Sequence, residues 1–117
     1  MRYMMLIYSD EVAEANQSQE ERSAVMERYF TFTDEVRQRG VFNSGDELQP
    51  TATATTVRVR DGRVTPQDGP YVETKEQLGG YYILDCANLD EAIEFAAKIP
   101  AAEYGAIEIR PIMEYEN

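Results

Sequence analysis

Residues 81–100 read YYILDCANLDEAIEFAAKIP, and this stretch decides the fold. Its first part, Tyr81 to Cys86, is an apolar run that is long enough for a buried strand and too short for a helix. Asn88 and Glu91 follow with the spacing of a capping box, and apolar residues recur at helical intervals from Leu89 until a proline ends the pattern. The sequence therefore predicts a core strand followed directly by an amphipathic helix.

The N-terminal third of the chain repeats this order. Tyr3 to Tyr8 is a second short apolar run, and a polar, acidic stretch separates it from a capping box formed by Ser18 and Glu21. Gly40 has the position of a helix C-terminal glycine. We expect a helix between them whose apolar stripe comprises Val25, Tyr29, Phe32 and Val36, with Met26 and Phe30 widening it.

The middle of the chain has β character. A weak or bulged strand is predicted between Val41 and Leu48, and residues 51–56 alternate Thr and Ala, which indicates extended chain. Asp61-Gly62 is typical of a two-residue hairpin turn, which would place Val59 opposite Val64. The other face of this hairpin carries three arginines, Arg58, Arg60 and Arg63.

The order of elements predicts one α+β domain over residues 1–117. A last strand is expected in residues 106–115, so the chain reads β-α-β, a hairpin, then β-α-β. Such an order gives a ferredoxin-like βαββαβ sheet with an inserted β-hairpin and both helices on one face. The uncovered sheet face would still carry apolar side chains, so we expect a homodimer formed through it.

Composition excludes several classes of function. The chain has 11 Lys and Arg against 22 Asp and Glu, a net charge of −11, which argues against nucleic-acid and membrane-surface binding. It has no histidine, which removes Ser-His-Asp catalysis and imidazole-dependent zinc sites; we expect no metal and no cofactor. Cys86, the only cysteine, lies in an apolar run and is expected to be a buried core thiol in a cytoplasmic protein.

The most unusual segment is residues 68–76, DGPYVETKE. Asp68 is expected to accept a hydrogen bond from the backbone two residues on, Gly69 tolerates a positive φ, and Pro70 fixes the exit of the chain. The segment is interpreted either as a structural clasp or as a ligand site. In the second case the ligand-binding residues are Asp68, Tyr71, Glu73 and Lys75, while catalytic residues stay unassigned.

The string DGPYVETKEQLGGYYILD resembles the motif of the DGPF family, the YCII-related proteins. The resemblance extends over the chain, through RYMMLIY at residues 2–8, LQPTATATTVRVRDG at residues 48–62 and AIEIRPIMEY at residues 106–115. It implies a dimeric, ferredoxin-like α+β barrel, and some members of the family are encoded beside extracytoplasmic-function sigma factors. Most members have no established activity.

Two departures from the family pattern affect function. Tyr71 replaces the phenylalanine of the motif. The wider YCII group is described as using a His-Asp pair as acid and base, but this chain has no His, and Ile99 stands where those relatives have the carboxylate. We therefore favour a non-catalytic dimeric module that binds a small molecule or a protein partner and is linked to a transcriptional regulator. The alternative is a small cofactor-independent enzyme that uses carboxylate, Tyr or Lys groups as acid and base.

Overall fold

The computed structural model describes residues 1–116 and shows an α+β fold. The strands are β1 (Arg2–Ser9), β2 (Phe42–Glu47), β3 (Thr55–Arg60), β4 (Arg63–Asp68), β5 (Gln77–Asp85) and β6 (Ala106–Pro111). The helices are α1 (Glu11–Ala15), α2 (Gln19–Gln38) and α3 (Leu89–Ala96), and short 3₁₀ turns lie at Thr51–Thr53 and Pro100–Glu103. None of the helices in residues 1–116 is long and apolar enough to cross a membrane.

Four strands form one antiparallel sheet in the order β2-β5-β1-β6. The two apolar runs that the sequence marks as core strands, β1 and β5, occupy its centre. β2 joins β5 with a shift of register between Phe42 and Ser44, which confirms the prediction of a bulged strand. This sheet and its helices are compatible with a ferredoxin-like α+β fold.

Strict alternation along β1 positions the core. Tyr3, Met5, Ile7 and Ser9 are buried, whereas the residues between them are half-buried. The buried side chains of β1 form a single apolar cluster with residues of both long helices, so α2 and α3 pack on the same face of the sheet. The cluster includes Phe32, Val36, Leu84, Phe95 and Ile99.

The predicted starts of α2 and α3 and the glycine end of α2 are confirmed, whereas α3 ends at Ala96, before the proline at position 100 that the sequence predicts to close it. The Ser18 hydroxyl accepts the N–H of Glu21 at 3.1 Å, and the Asn88 amide oxygen accepts the N–H of Glu91 at 2.9 Å. Gly40 ends α2 with φ +74°, in the left-handed region that glycine adopts without a Cβ clash.

Two short elements differ from the sequence predictions. The acidic stretch after β1 contains helix α1, whose first N–H groups are capped by the Asp10 carboxylate. Residues 51–56 are not uniformly extended, since Thr51–Thr53 forms a 3₁₀ turn before β3 begins. The reason is a contact between distant segments: the Glu11 carboxylate accepts the N–H and the hydroxyl of Thr51, at 2.8 and 2.7 Å, and holds the chain in that turn.

The apolar stripe of α2 is narrower than predicted. Phe32 and Val36 are buried, but Met26 is 42% exposed and Phe30 is 63% exposed. The expectation that these two residues belong to the core is therefore wrong. They lie on the flank of α2 that is directed toward β2, where helix and sheet do not close together.

β3 and β4 pair only with each other in the part of the chain that the structure describes. Their turn has positive φ at Asp61 (51°) and at Gly62 (75°), as a two-residue hairpin turn requires, and Val59 lies opposite Val64. We call this ribbon, Thr55–Asp68, the hairpin arm.

The face of the four-stranded sheet that turns away from the helices has an apolar centre. By register and alternation it carries half-buried side chains of the two central strands, with Glu108 and Arg110 on the flanking strand β6. These central side chains are Met4, Leu6, Tyr8, Tyr81 and Ile83. We call this surface the open sheet face.

Candidate functional site

A cleft of about 380 Å³ lies between α2 and the edge of the sheet formed by β2 and β5. Its walls are mainly aromatic and apolar: Val25, Met26, Tyr29, Phe30, Phe42 and Tyr82. Polar and charged residues lie among them, including Ser9, Glu14, Arg22, Thr33, Arg37 and Glu47. An apolar concavity with a few polar groups is the usual form of a small-molecule site.

Glycines on the sheet side make room for the cleft. Gly45 of β2 and Gly79 and Gly80 of β5 line it, and none of them projects a side chain toward α2. At Gly45 an added Cβ would lie 2.7 Å from Cδ1 of Tyr82, so glycine is what allows that ring to lie against β2. The Tyr82 ring also packs edge-on against Phe32, at 5.0 Å between centroids.

Hydrogen bonds fix the polar groups in the middle of the cleft. The Thr33 hydroxyl donates to the carbonyl of Tyr29, four residues earlier in α2, at 2.9 Å. Its oxygen lies 2.9 Å from the hydroxyl oxygen of Tyr82. Because Thr33 has a single hydroxyl proton, the Tyr82 hydroxyl donates in this second bond.

Burial keeps the tyrosines of the cleft protonated. It raises the pKa of Tyr29, and the neighbouring phenol of Tyr104 raises it further. Burial also raises the pKa of Tyr82. Both phenols are therefore neutral near pH 7, which suits them to donate hydrogen bonds and not to accept a proton as a base.

The ends of the cleft carry charges of both signs. The buried Ser9 hydroxyl donates to the Glu14 carboxylate, which fixes that carboxylate at one end of the cleft. The Arg37 guanidinium lies over the ring of Phe42, 4.8 Å from its centroid, and supplies a positive charge beside an aromatic wall. The cleft could therefore bind a ligand whose apolar part contacts the aromatic wall and whose polar groups contact these charges.

The four residues predicted to bind a ligand do not line this cleft. Asp68, Tyr71, Glu73 and Lys75 are all exposed, and within residues 1–116 no hydrogen bond or ion pair joins any of them to another. Tyr71 is 80% exposed, and the Arg58 guanidinium carbon lies 5.7 Å from its ring centroid. The structure therefore places these side chains along one exposed segment without gathering them into a pocket.

The turn at the start of that segment is held by its backbone. Gly69 has φ +105°, a value that glycine tolerates, and its N–H donates to the Ala54 carbonyl at 2.8 Å. The expected hydrogen bond, in which the Asp68 carboxylate accepts a nearby backbone N–H, is absent in residues 1–116. One physical reason is that the residue two positions on, Pro70, has no N–H to donate.

Cys86 is confirmed as a buried core thiol. It is 1% exposed, and burial raises its pKa, which keeps the thiol protonated and unreactive. Among residues 1–116 no group of three or more Cys, Asp or Glu side chains is arranged to hold a metal ion. The polar groups that line the cleft are phenols, hydroxyls, carboxylates and guanidinium groups.

Sequence reasoning did not identify the cleft, although two signals for it were present. The apolar stripe of α2, with Met26 and Phe30 added, is wider than one sheet face can cover. The pair Gly79-Gly80 in a strand indicates a close approach or a missing side chain. Together they indicate a helix flank that lies opposite an unfilled part of the sheet.

Comparison with known proteins gives two findings. The family model of the YCII-related domain matches residues 1–116. An uncharacterized protein of Rhizobium meliloti (strain 1021) is 38% identical over 118 residues, which cover 99% of this chain and 95% of the relative. Both findings agree with the resemblance that the DGPY motif suggests.

Proposed function

Because the chain belongs to the YCII-related family, we propose that it is a homodimeric module that holds a small organic molecule in the cleft between α2 and β2–β5. The cleft itself is the observation that carries this proposal. Its volume, about 380 Å³, lies within the range of roughly 300–1,000 Å³ that is usual for ligand pockets.

The walls indicate what kind of molecule would fit. Tyr29, Phe30 and Phe42 offer aromatic surface to an apolar or planar body. The Arg37 guanidinium offers hydrogen-bond donors to acceptor atoms at its edge, whereas the Tyr82 hydroxyl already donates its proton to Thr33. The ligand class is therefore a compact organic molecule with an apolar body and oxygen acceptors.

Binding without catalysis is favoured by the protonation of the site. The chain has no histidine, and the raised pKa values of Tyr29 and Tyr82 oppose their use as bases. A small cofactor-independent enzyme is the second candidate, because Glu14 places one carboxylate in the cleft within reach of the Ser9 hydroxyl. Slow turnover of a bound molecule that Glu14→Gln abolishes would favour the enzyme.

The homodimer is part of the proposal, with the open sheet faces of two copies closing a dimeric α+β barrel and the hairpin arm inserted before β5. The accessible surface of the chain supports a partner: it is 8467 Å², against about 6,500 Å² for a monomeric protein of this mass. The excess, about 2,000 Å² on one chain, is larger than the roughly 800 Å² that a standard interface buries on each partner.

The remaining elements of the proposal concern context. Asp68, Tyr71, Glu73 and Lys75 are proposed as an exposed contact surface for a ligand or for a protein partner, such as a sigma factor encoded nearby. A cytoplasmic location is proposed as well, and the buried free thiol of Cys86 is compatible with a reducing compartment.

A fluorescence titration with 1-anilinonaphthalene-8-sulfonate tests the cleft as a binding site, because this probe combines an aromatic body with an anionic group. Met26→Trp places an indole in the cleft and is expected to weaken probe binding about tenfold, the effect of losing a well-filled pocket. Ser23→Trp adds the same ring on an exposed position of α2 that does not line the cleft and should bind like the wild type. Equal affinities of the two variants would contradict the proposal.

A further inference from the structure

The hairpin arm exposes an apolar surface that the rest of its own chain does not cover. Val57, Val59 and Val64 are 58%, 57% and 66% exposed. The register places Val57 opposite Pro66 and Val59 opposite Val64, so the four side chains share one face of the ribbon. Arg58, Arg60 and Arg63 lie on the other face.

Hydrogen bonds fix the hairpin arm at both of its connections to the rest of the chain. The Glu11 carboxylate binds Thr51 on the segment that enters the arm, at 2.7 and 2.8 Å. The Glu11 N–H donates to the side-chain oxygen of Gln77, where the returning chain joins β5, at 3.0 Å. The N–H of Gly69 closes the ribbon against Ala54. One residue of α1 therefore holds both connections of the arm.

A two-stranded ribbon alone is only marginally stable in water, and an exposed apolar face gives it no compensating burial. A rigid ribbon of this kind is preorganised for a partner, since little conformational entropy is lost when it docks.

Charge indicates which partner fits. The hairpin arm has three arginines against two aspartates, so the rest of the chain has eight cations against twenty carboxylates. The arm therefore carries a net charge of +1 and the rest of the chain −12, so the arm is the part of one copy that the acidic body of another copy does not repel, and its arginines, on the face opposite the valines, would border the contact.

We propose that the apolar face of the hairpin arm, Val57, Val59, Val64 and Pro66, docks on a second copy of this chain. This inference rests on the homodimer of the proposed function and adds to the open sheet face a second, reciprocal contact. In a two-fold symmetric dimer the arm of each copy contacts the other copy, so both arms are bound within the dimer and no filament forms.

Sedimentation equilibrium of a matched pair of variants tests this. Val59→Asp puts a carboxylate on the apolar face, and Thr65→Asp puts the same group on the opposite face of the ribbon. Both positions are exposed in the single chain, so we expect both variants to keep the fold and the far-UV circular dichroism of the wild type. The dissociation constant of the dimer should rise about tenfold or more for Val59→Asp, because this variant loses an apolar contact with the second copy. For Thr65→Asp the dissociation constant should change less than about twofold, because the opposite face of the ribbon makes no such contact.

A photo-crosslinking amino acid at position 59 gives a second readout that does not depend on affinity. Irradiation should yield a covalent dimer at position 59 and much less at position 65. If Val59→Asp dimerises like Thr65→Asp, or position 59 crosslinks only within one chain, the docking of the arm is refuted while the dimer itself stands. A wild type that stays monomeric at 100 µM would refute both the arm contact and the homodimer.

Discussion

Tyr29 is half-buried between the cleft and Tyr104, and its protonated phenol links stability to pH. In the unfolded chain a tyrosine releases its proton near pH 10, whereas burial raises the pKa of Tyr29 in the folded chain. The folded state then binds more protons than the unfolded state, so stability is complete below about pH 10 and falls as the pH rises above it.

We therefore expect the free energy of unfolding, measured by urea titration, to decrease from pH 9 to pH 11. Burial raises the pKa of Tyr82 and Tyr104 as well, so part of the decrease remains when Tyr29 is changed. Tyr29→Phe should show a shallower slope than the wild type over this interval. The same slope in both proteins would contradict the buried, protonated phenol.

Gly105 is the glycine at which backbone packing is tightest. An added Cβ would lie 2.0 Å from the carbonyl oxygen of Tyr8 in the central strand β1, and a strand backbone cannot retreat easily. Gly105→Ala is expected to cost about 1–3 kcal/mol of stability in urea unfolding, as overpacking does. Gly79→Ala is the control, because its Cβ would meet nothing within 4 Å; it should stay within about 0.5 kcal/mol of the wild type. Equal losses for the two variants would contradict this packing.

At the scale of elements, the turn after β4 separates backbone from side-chain effects. Gly69 has φ +105°, which β-branched residues do not adopt, so Gly69→Val should destabilise the chain by about 1–3 kcal/mol. The Asp68 carboxylate makes no hydrogen bond within residues 1–116, so Asp68→Ala should change stability by less than about 0.5 kcal/mol. Thermal unfolding of both variants checks this, and a larger loss for Asp68→Ala than for Gly69→Val would refute it.

The central elements were predictable because several local signals agreed for each. β1 and β5 are apolar runs of strand length, and α2 and α3 carry capping residues that bond as their spacing predicts. Helix α1 was not predictable from periodicity, because it has five residues and buries none of them. Its existence depends on the Asp10 cap and on the long-range bonds that Glu11 makes.

The site was less predictable than the fold for a physical reason. The sequence emphasises the segment after β4, whose Asp-Gly-Pro signal reports turn geometry, and the structure shows that turn with exposed side chains around it. The cleft arises instead from where α2 lies over a sheet edge that is rich in glycine. The position of α2 over the sheet depends on packing between segments that are distant in sequence, so local sequence patterns do not predict it.

At the scale of the whole molecule, the chain is flat and extended. Its radius of gyration is 16.3 Å, against about 13 Å for a compact domain of this length. Its principal extents are 48 × 48 × 18 Å, and the open sheet face is a face that the helices do not cover. The dimer proposed here covers that face.

Each chain has a net charge of −11, so two copies repel each other at low ionic strength. Sedimentation at micromolar concentration should therefore show a dimer whose dissociation constant falls when the salt concentration rises from about 20 to 150 mM. The reason is that the Debye length shortens to about 8 Å, which screens the repulsion between the copies. Leu6→Glu on the open sheet face should prevent dimerisation at both salt concentrations, whereas Val12→Glu on α1 should not. A dimer that weakens steadily with added salt would contradict the account.

Native mass spectrometry of the untagged protein, released gently from the cells that make it, tests the central claim most directly, since one spectrum reports both stoichiometry and bound ligand. The account predicts the mass of a dimer with added small-molecule mass, retained in Ser23→Trp and lost in Met26→Trp, the variant that fills the cleft. A bare monomer, or an added mass that Met26→Trp retains in full, would contradict it.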